Sequence, residues 1–156
     1  MGAFRRLTAN IGERMDNTLW VLFSEQVAKE AHRCQFRRDG VTPYIVHPEA
    51  VAARLDDTDG KIVGWLHDVV EDTTVDEKKL LTLGFPQYIV DAVSSMTRRK
   101  GQKDTDYFNG IKANPLACRV KIADMLCNLS CDPKPKTAVK YVKALLFLRG
   151  ITESFS

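Results

Sequence analysis

Four ionisable side chains occur within six residues of an otherwise apolar segment, at His67, Asp68, Glu71 and Asp72. Residues four apart share one face of a helix, so His67 would lie beside Glu71 and the two aspartates beside each other. Carboxylates buried this close together repel one another and lose hydration, a cost that a divalent cation or hydrogen bonds must offset. The segment therefore indicates a metal site with an acid/base group beside it. The alternative is a polar helix end, at which Glu71 and Asp72 simply meet solvent.

The two other histidines of the chain have different settings. His47 directly precedes Pro48, and proline favours the first turn of a helix. A turn at residues 56–60 follows that helix, so two antiparallel helices would bring the imidazoles of His47 and His67 together. His32 falls at the end of an amphipathic helix, and we interpret it as structural or, at most, as a residue behind the site.

A single carboxylate interrupts the apolar segment 120–129. Burying Asp124 among Ile, Ala, Met and Leu is costly unless the carboxylate is paired. Lys121 and Asn128 lie one turn away on the same face, so an ion pair with Lys121 is the alternative to metal binding. Two histidines with two carboxylates form a mixed nitrogen and oxygen ligand set. Such a set suits Mn²⁺, Fe²⁺, Zn²⁺ or Co²⁺ better than Ca²⁺ or Mg²⁺ alone.

Helices are predicted to position all of these residues. Apolar side chains recur at helical spacing, and no segment alternates as a half-buried strand would. Asp, Pro and Gly mark helix ends separated by short loops, which is typical of an all-α bundle. The predicted helices span residues 17–34, 48–55, 61–72, 76–83, 86–96, 106–113, 115–131 and 138–149.

Length and composition predict one ordinary domain over residues 1–156, with residues 1–15 loosely held. The net charge of +3 does not require a nucleic-acid partner, and no apolar run reaches the length of a membrane span. We therefore expect neither a nucleic acid nor a membrane as partner, while the oligomeric state is not defined by the sequence. The four cysteines form no Cys-x-x-Cys pair, so reduced, mostly buried thiols in a cytoplasmic protein are expected.

The order of these residues matches a known pattern. His47, the pair His67-Asp68 and Asp124 match the H…HD…D signature of the HD-domain phosphohydrolases. The segments that carry a closer resemblance are 31–35, 37–40, 43–48, 67–73 and 120–129. They resemble the hydrolase domain of RelA/SpoT-type alarmone enzymes and the small single-domain alarmone hydrolases, including the metazoan SpoT homologue. The resemblance covers residues 20–130 and implies an all-α HD-domain bundle of about seven to eight helices.

The resemblance implies a (p)ppGpp 3′-pyrophosphohydrolase, an enzyme that converts guanosine tetra- or pentaphosphate to GDP or GTP and pyrophosphate. The implied cofactor is Mn²⁺, with another divalent transition metal as the alternative. The implied metal ligands are His47, His67, Asp68 and Asp124. Glu71 and Asp72 match the pair of acidic residues that orients and activates the attacking water in the family.

The resemblance also implies where the nucleotide binds. Arg37 and Arg38 match the basic pair that flanks the guanosine nucleotide, and Asn128 matches a residue near its ribose. Lys121, on the same helix face as Asn128, is a further predicted substrate-binding residue. The loop that carries both arginines is one residue longer than the usual family pattern, and it has Asp39 where a small hydroxyl residue is common.

Two other functions are consistent with the same residues. One is a hydrolase of this fold that acts on another nucleotide phosphate ester, which the altered arginine loop favours. The other is a binding module that holds a nucleotide without turnover. Retention of both Glu71 and Asp72 argues against the binding module, because binding alone needs no group that activates water. Cys127, just before Asn128, is another departure, since the family often has His or Tyr there.

Overall fold

The computed structural model describes residues 16–155, so the loose order predicted for residues 1–15 lies outside the described residues. Within 16–155 all regular structure is helical, apart from one isolated antiparallel bridge between Phe36 and Pro43. The predicted all-α class is therefore confirmed. The helices are α1 (Asn17–Ala31), α2 (Val46–Ala53), α3 (Thr58–Leu66), α4 (Val69–Asp72), α5 (Glu77–Thr82), α6 (Gln87–Met96), α7 (Asp104–Ala113), α8 (Pro115–Leu129) and α9 (Pro135–Leu148).

Short polar side chains begin several of these helices. The Asp16 carboxylate accepts a hydrogen bond from the backbone N–H of Leu19, and Asp57 accepts one from Gly60 at the start of α3. Asn114 begins α8 in the same way, directly before Pro115. The first N–H groups of a helix have no partner inside the helix, so such side chains satisfy them and define where the helix starts.

The prediction of one continuous helix over residues 61–72 is wrong. The chain forms α3 and α4 instead, with His67 and Asp68 in a turn between them. The His67 ring nitrogen Nδ1 lies 2.7 Å from the carbonyl oxygen of Gly64, which is the acceptor that residue 68 would use in an unbroken helix. The side chain thus competes with the backbone for that acceptor, and the described range has one helix more than predicted.

Helix α3 is the centre of the fold and packs against α1, α2 and α8. Its side chains Val63 and Leu66 are completely buried. A Cβ atom at Gly64 would lie 2.9 Å from the Cα atom of Ala52, so α2 and α3 approach closely only because residue 64 has no side chain. This close contact holds the start of α2 beside the end of α3, where His47 and His67 lie.

Other boundaries shift by a few residues. Helix α1 ends at Ala31 rather than residue 34, since His32 leaves the helix to pack against Tyr44 at a ring separation of 4.8 Å. Helix α9 begins at Pro135 rather than residue 138, because proline loses no hydrogen bond in the first turn of a helix. None of the described helices is long and apolar enough to cross a bilayer.

The prediction of mostly buried thiols is wrong. All four cysteines are free, but Cys34 and Cys131 are exposed, Cys118 is half-buried, and only Cys127 is buried. The exposed pair lies in turns just after α1 and α8, where the helical spacing that suggested burial no longer applies.

Candidate metal centre and its cavity

Three donor groups from three helices meet in the interior. His47 lies in the first turn of α2, His67 ends α3, and Asp124 lies in the middle of α8. Their ligand atoms all lie within 4.8 Å of one another, and each side chain is at most 5% exposed. The closest contact is 2.9 Å, between Nε2 of His47 and Oδ1 of Asp124. This spacing leaves room for one cation among the three groups.

Asp68 lies at the edge of this cluster. Its Oδ2 atom is 3.0 Å from Nε2 of His67 and 3.7 Å from Nε2 of His47. The Tyr44 hydroxyl donates a 2.5 Å hydrogen bond to the same oxygen. The sequence prediction missed Tyr44, although it lies one helical turn before His47 within a segment that carries the resemblance. The hydroxyl fixes the carboxylate, so Asp68 is held in reach of both imidazoles.

The hydrogen bonding of His67 tests whether a cation fits. Because a carbonyl oxygen only accepts, the contact with Gly64 requires the proton to lie on Nδ1 in the neutral ring. Nε2 then carries a bare lone pair, it is buried, and it has no hydrogen-bond partner among residues 16–155. It faces the Asp68 carboxylate, so two acceptors lie 3.0 Å apart. A divalent cation held by His67 and Asp68 would satisfy both groups, as in metal sites where the second ring nitrogen bonds a carbonyl.

The local field favours positive charge at this point. Burial lowers the pKa of His67, but the Asp68 and Asp124 carboxylates outweigh burial and raise this pKa to about 9. Burial likewise raises the pKa of Asp68, while the His67 imidazole outweighs it and lowers that pKa to about 2. The two shifts have opposite causes: carboxylates favour a positive charge on His67, and the imidazole favours a negative charge on Asp68. A cation held among these groups would supply the positive charge that the carboxylates favour. The structure thus has a His/Asp site that fits a divalent metal.

Asp124 makes both of the contacts that its sequence setting suggested. Its Oδ2 atom pairs with Nζ of Lys121 at 2.7 Å, so the ion pair considered as the alternative is present. Its Oδ1 atom faces His47 and accepts a 2.8 Å hydrogen bond from Asn128. Burial raises the pKa of Asp124, but Lys121 and the histidines outweigh burial and keep this pKa well below its usual range. The carboxylate is therefore a permanent anion with one oxygen directed to the cluster.

Glu71 and Asp72 are exposed to the cavity beside the cluster. Oε1 of Glu71 accepts a 2.8 Å hydrogen bond from the backbone N–H of Arg98, a residue that the sequence prediction did not single out. Burial raises the pKa of Glu71, and burial with the Asp68 charge raises the pKa of Asp72. Carboxylates with raised pKa values beside a metal site accept a proton more readily than free carboxylates do.

Arg98 is itself fixed by neighbouring side chains. Its guanidinium contacts Asp104 at 2.5 Å and lies 4.3 Å from the centre of the Tyr107 ring. Tyr107 donates a 2.7 Å hydrogen bond to the carbonyl of Met96. The segment between α6 and α7 therefore presents one N–H group to Glu71, held in place by these contacts.

The loop that carries Arg37 and Arg38 is held mainly by its own bonds. The Asp39 carboxylate accepts hydrogen bonds from the N–H groups of Val41 and Thr42, both at 2.9 Å, and from the Thr42 hydroxyl at 2.6 Å. The Thr42 hydroxyl and these backbone groups lower the pKa of Asp39 to about 2. The residue that departs from the family pattern is thus the one that organises this loop.

The metal cluster, the two acidic residues and the arginine loop all border one cavity of about 990 Å³. Every predicted site residue except the buried His67 lines it, which includes both loop arginines, both acidic residues and the polar residues of α8. Arg54, at the end of α2, lines the same cavity and was missed by the sequence prediction. It lies seven residues after His47, on the helix that carries this histidine, and that spacing could have indicated it.

This chain is similar in sequence to known enzymes, although no protein-family model matches it. A guanosine-3′,5′-bis(diphosphate) 3′-pyrophosphohydrolase of Haemophilus influenzae is 39% identical over 80 residues, covering 47% of this chain. A probable enzyme of the same name from Synechocystis is 33% identical over 116 residues, covering 65% of this chain. The chain spans only 12% and 15% of the lengths of these two relatives.

A solved structure has the same fold. It is a metazoan orthologue of SpoT, described as hydrolysing ppGpp and playing a role in starvation responses. The two structures superpose with a TM-score of 0.72 at 23% identity, covering 91% of this chain and 92% of the other. This chain therefore has the all-α HD-domain fold of the SpoT orthologue, and it resembles the guanosine-3′,5′-bis(diphosphate) 3′-pyrophosphohydrolases in sequence, as its motifs predicted.

Proposed function

We propose that this protein is a divalent-cation-dependent hydrolase that removes the 3′-pyrophosphate of (p)ppGpp and produces GDP or GTP. The observation that carries the proposal is the buried cluster of His47, His67 and Asp124, which opens through Asp68 into the same cavity as Glu71. Similarity to pyrophosphohydrolases in sequence, and to a ppGpp-hydrolysing protein in fold, supports the choice of substrate.

The proposed metal ligands are His47, His67, Asp68 and Asp124. A divalent cation bound there stabilises charge on a phosphoryl oxygen and lowers the pKa of a water molecule. Tyr44 holds Asp68 in place, and Lys121 balances the Asp124 charge on the side away from the cluster. We propose Mn²⁺ as the cation, because a set of two imidazoles and two carboxylates suits a borderline transition metal.

Glu71 is the proposed general base. Its raised pKa and its fixed bond to the N–H of Arg98 suit it to take a proton from the attacking water. The water oxygen bonds to the phosphorus attached to O3′, and the P–O3′ bond breaks. The 3′-oxygen gains one proton as the water loses one, which gives the nucleoside hydroxyl and free pyrophosphate. Asp72, beside Glu71, helps to orient the water.

The nucleotide occupies the rest of the cavity. We assign Arg37 and Arg38 to its phosphates and base, since guanidinium groups pair with phosphate and stack on rings. Asn128 and Lys121 line the same cavity beside Asp124, and we assign them to the ribose side of the nucleotide. With four free thiols in the chain, we propose that the reaction takes place in the reducing cytoplasm.

A nucleotide panel tests the substrate. The protein with Mn²⁺ is given ppGpp, pppGpp, guanosine 3′-phosphate and GMP, and pyrophosphate release is measured separately from orthophosphate release. We expect pyrophosphate from the first two only. Turnover of another ester without turnover of ppGpp would instead support a hydrolase of different specificity, and tight binding of ppGpp without any turnover would support a binding module.

The variant Glu71→Gln tests the mechanism. Loss of a general base lowers kcat by about 10²- to 10⁴-fold, while the content of bound metal stays as in the wild type. Glu49→Gln is the matched control, because Glu49 is an exposed glutamate on α2 outside the cavity. Wild-type turnover by Glu71→Gln would exclude this role for Glu71.

A further inference from the structure

Arg54 is an unassigned cation in the cavity. It ends α2 and follows His47 by seven residues, which is two helical turns, or roughly 10 Å along the axis. Its side chain lines the cavity that contains the metal cluster. Among the described residues, no carboxylate forms an ion pair with Arg54 and no acceptor bonds to its two terminal Nη groups. The guanidinium is therefore available to an anion inside the cavity.

The buried thiol of Cys127 orients the Arg54 guanidinium. Nε of Arg54 donates a 3.1 Å hydrogen bond to Sγ of Cys127, which is 4% exposed. Cys127 lies on α8 one turn after Asp124, so the contact ties the side chain to the helix that carries a proposed metal ligand. Burial raises the pKa of the Cys127 thiol, so the sulfur stays neutral and accepts the N–H bond without forming an ion pair. Only the Nη edge of the guanidinium is left to bind a ligand.

We infer that Arg54 binds the 5′-phosphate group of a nucleotide whose 3′-phosphate group lies at the metal cluster, and that Cys127 positions Arg54 for this contact. The inference rests on the proposed function for the location of the 3′ group. Helices α2 and α8 pack together and both line the cavity, and on α2 Arg54 lies two helical turns beyond His47, so the two helices form a wall shared by the cluster and the guanidinium. Phosphate groups on opposite sides of one ribose can span such a wall. The planar guanidinium fork matches phosphate oxygens in a bidentate contact.

Arg54 thus makes the cavity selective for nucleotides that carry phosphate groups at both the 3′ and the 5′ positions. A ligand with only a 3′-phosphate group reaches the cluster but leaves the Nη edge unpaired. The wild-type protein therefore binds guanosine 3′,5′-bisphosphate more tightly than guanosine 3′-phosphate, by roughly 10- to 100-fold for one charge-assisted contact. Neither probe contains a pyrophosphate, so the proposed reaction does not consume them during the measurement.

Calorimetric titration of both probes into the Mn²⁺-loaded full chain tests this inference. Arg54→Ala should bind the bisphosphate no more tightly than guanosine 3′-phosphate. Its affinity for guanosine 3′-phosphate should change by less than about 2-fold, since an exposed arginine contributes little to the stability of the fold. Arg149→Ala is the matched control, because Arg149 ends α9 as Arg54 ends α2 but lies outside the cavity. If Arg54 only stabilised the end of the helix, Arg54→Ala would weaken the binding of both probes equally or leave both affinities unchanged.

Variants of Cys127 test the positioning role. Cys127→Ala should lose part of the higher affinity for the bisphosphate. Cys127→Ser should retain this higher affinity, because a hydroxyl also accepts the Nε bond. The double variant Arg54→Ala with Cys127→Ala should lose no more of it than Arg54→Ala alone. Equal affinities of the wild type for both probes, no binding of either, or an unchanged advantage in Arg54→Ala would overturn the inference. Turnover of ppGpp by the wild type is measured in parallel, so failure of the proposed function is seen separately from failure at Arg54.

Discussion

The two ends of the cavity are built in opposite ways. At the metal end His47, His67 and Asp124 are almost completely buried, and their charges are balanced by one another and by Lys121. They come from three helices that are held together by the core around α3. At the other end, the loop with Arg37 and Arg38 is largely exposed and is organised locally by Asp39.

Under the proposed function, this difference separates the residues of the chemical step from those that recognise the nucleotide. A change at the metal end leaves a buried charge without its partner, so that end tolerates little variation. A change in the arginine loop alters only local hydrogen bonds near solvent, so the nucleotide bound can change without rebuilding the fold. One departure from the pattern of the family that the sequence resembles occurs in this loop, at Asp39, and the other is Cys127 on α8, while the four predicted metal ligands match the pattern. Four predictions test the contrast, in order of decreasing effect.

Removal of the metal should have the largest effect, because it acts on the metal end of the cavity alone. A chelator abolishes turnover, and Mn²⁺ restores it, while the helical content remains because the apolar core does not depend on the cluster. A cation at 100 times its dissociation constant stabilises the folded state by about 2.7 kcal/mol. For a domain of this size the melting temperature should then fall by about 5 to 10 °C on chelation. Circular dichroism melts with and without Mn²⁺ measure this shift, and full turnover by the chelated protein would refute a metal-dependent reaction.

Asp124→Asn should damage both catalysis and stability. The variant leaves Lys121 and His47 without the buried charge that they face, which costs about 3 kcal/mol of unfolding free energy. Turnover and bound metal are lost with it. Asp132→Asn is the control, since Asp132 lines the same cavity but is exposed at the left-handed φ of 51°, which Asn tolerates. Urea unfolding and metal analysis of both variants measure the difference, and equal stability of the two would contradict the assigned role of burial.

Asp104→Asn should act on Glu71 through Arg98. Release of the Arg98 side chain loosens the N–H group that bonds Glu71 and lowers kcat by roughly 10-fold. That N–H group favours the charged carboxylate, so its loss raises the pKa of Glu71 further. Because the base acts when deprotonated, the acidic limb of the pH–rate profile should move to higher pH.

Lys140→Gln is the matched control for this network. It removes the other partner of Asp104, which lies 2.9 Å away, without touching Arg98. The pH–rate profile of this control should follow the wild type. If both variants shift the acidic limb equally, Arg98 does not position Glu71.

Substitutions of Asp39 should have the smallest effect and should leave kcat unchanged. Asp39→Ser and Asp39→Ala both remove the charge, but only serine can still bond the loop backbone. The alanine variant should therefore have a KM for ppGpp higher than that of the serine variant by roughly 3- to 10-fold, the cost of ordering the loop on binding. Steady-state kinetics measure both constants, and equal KM values would show that the Asp39 hydrogen bonds do not shape recognition.

Most of the helices could be predicted because their signals are local. Asp16 and Asn114 are short polar residues placed to satisfy the first free N–H groups of a helix, and the periodic apolar residues after them fix which face is buried. The break at His67 could not be predicted in this way. It depends on a side chain that takes the Gly64 carbonyl from the backbone, and apolar periodicity carries no information on that competition.

The sequence by itself determined the chemistry that is available here. His47 and His67, carboxylates in apolar surroundings and their order along the chain indicate a divalent metal site with a carboxylate base beside it, since charges placed in apolar segments need a partner. Only the tertiary structure decided which atoms meet. The backbone contact at Gly64 brings His47 to His67. Tyr44, Arg98 and Arg54 are positioned through contacts with Asp68, Glu71 and Cys127, which lie far from them in the chain. Such contacts depend on how the helices pack, and no local pattern encodes them.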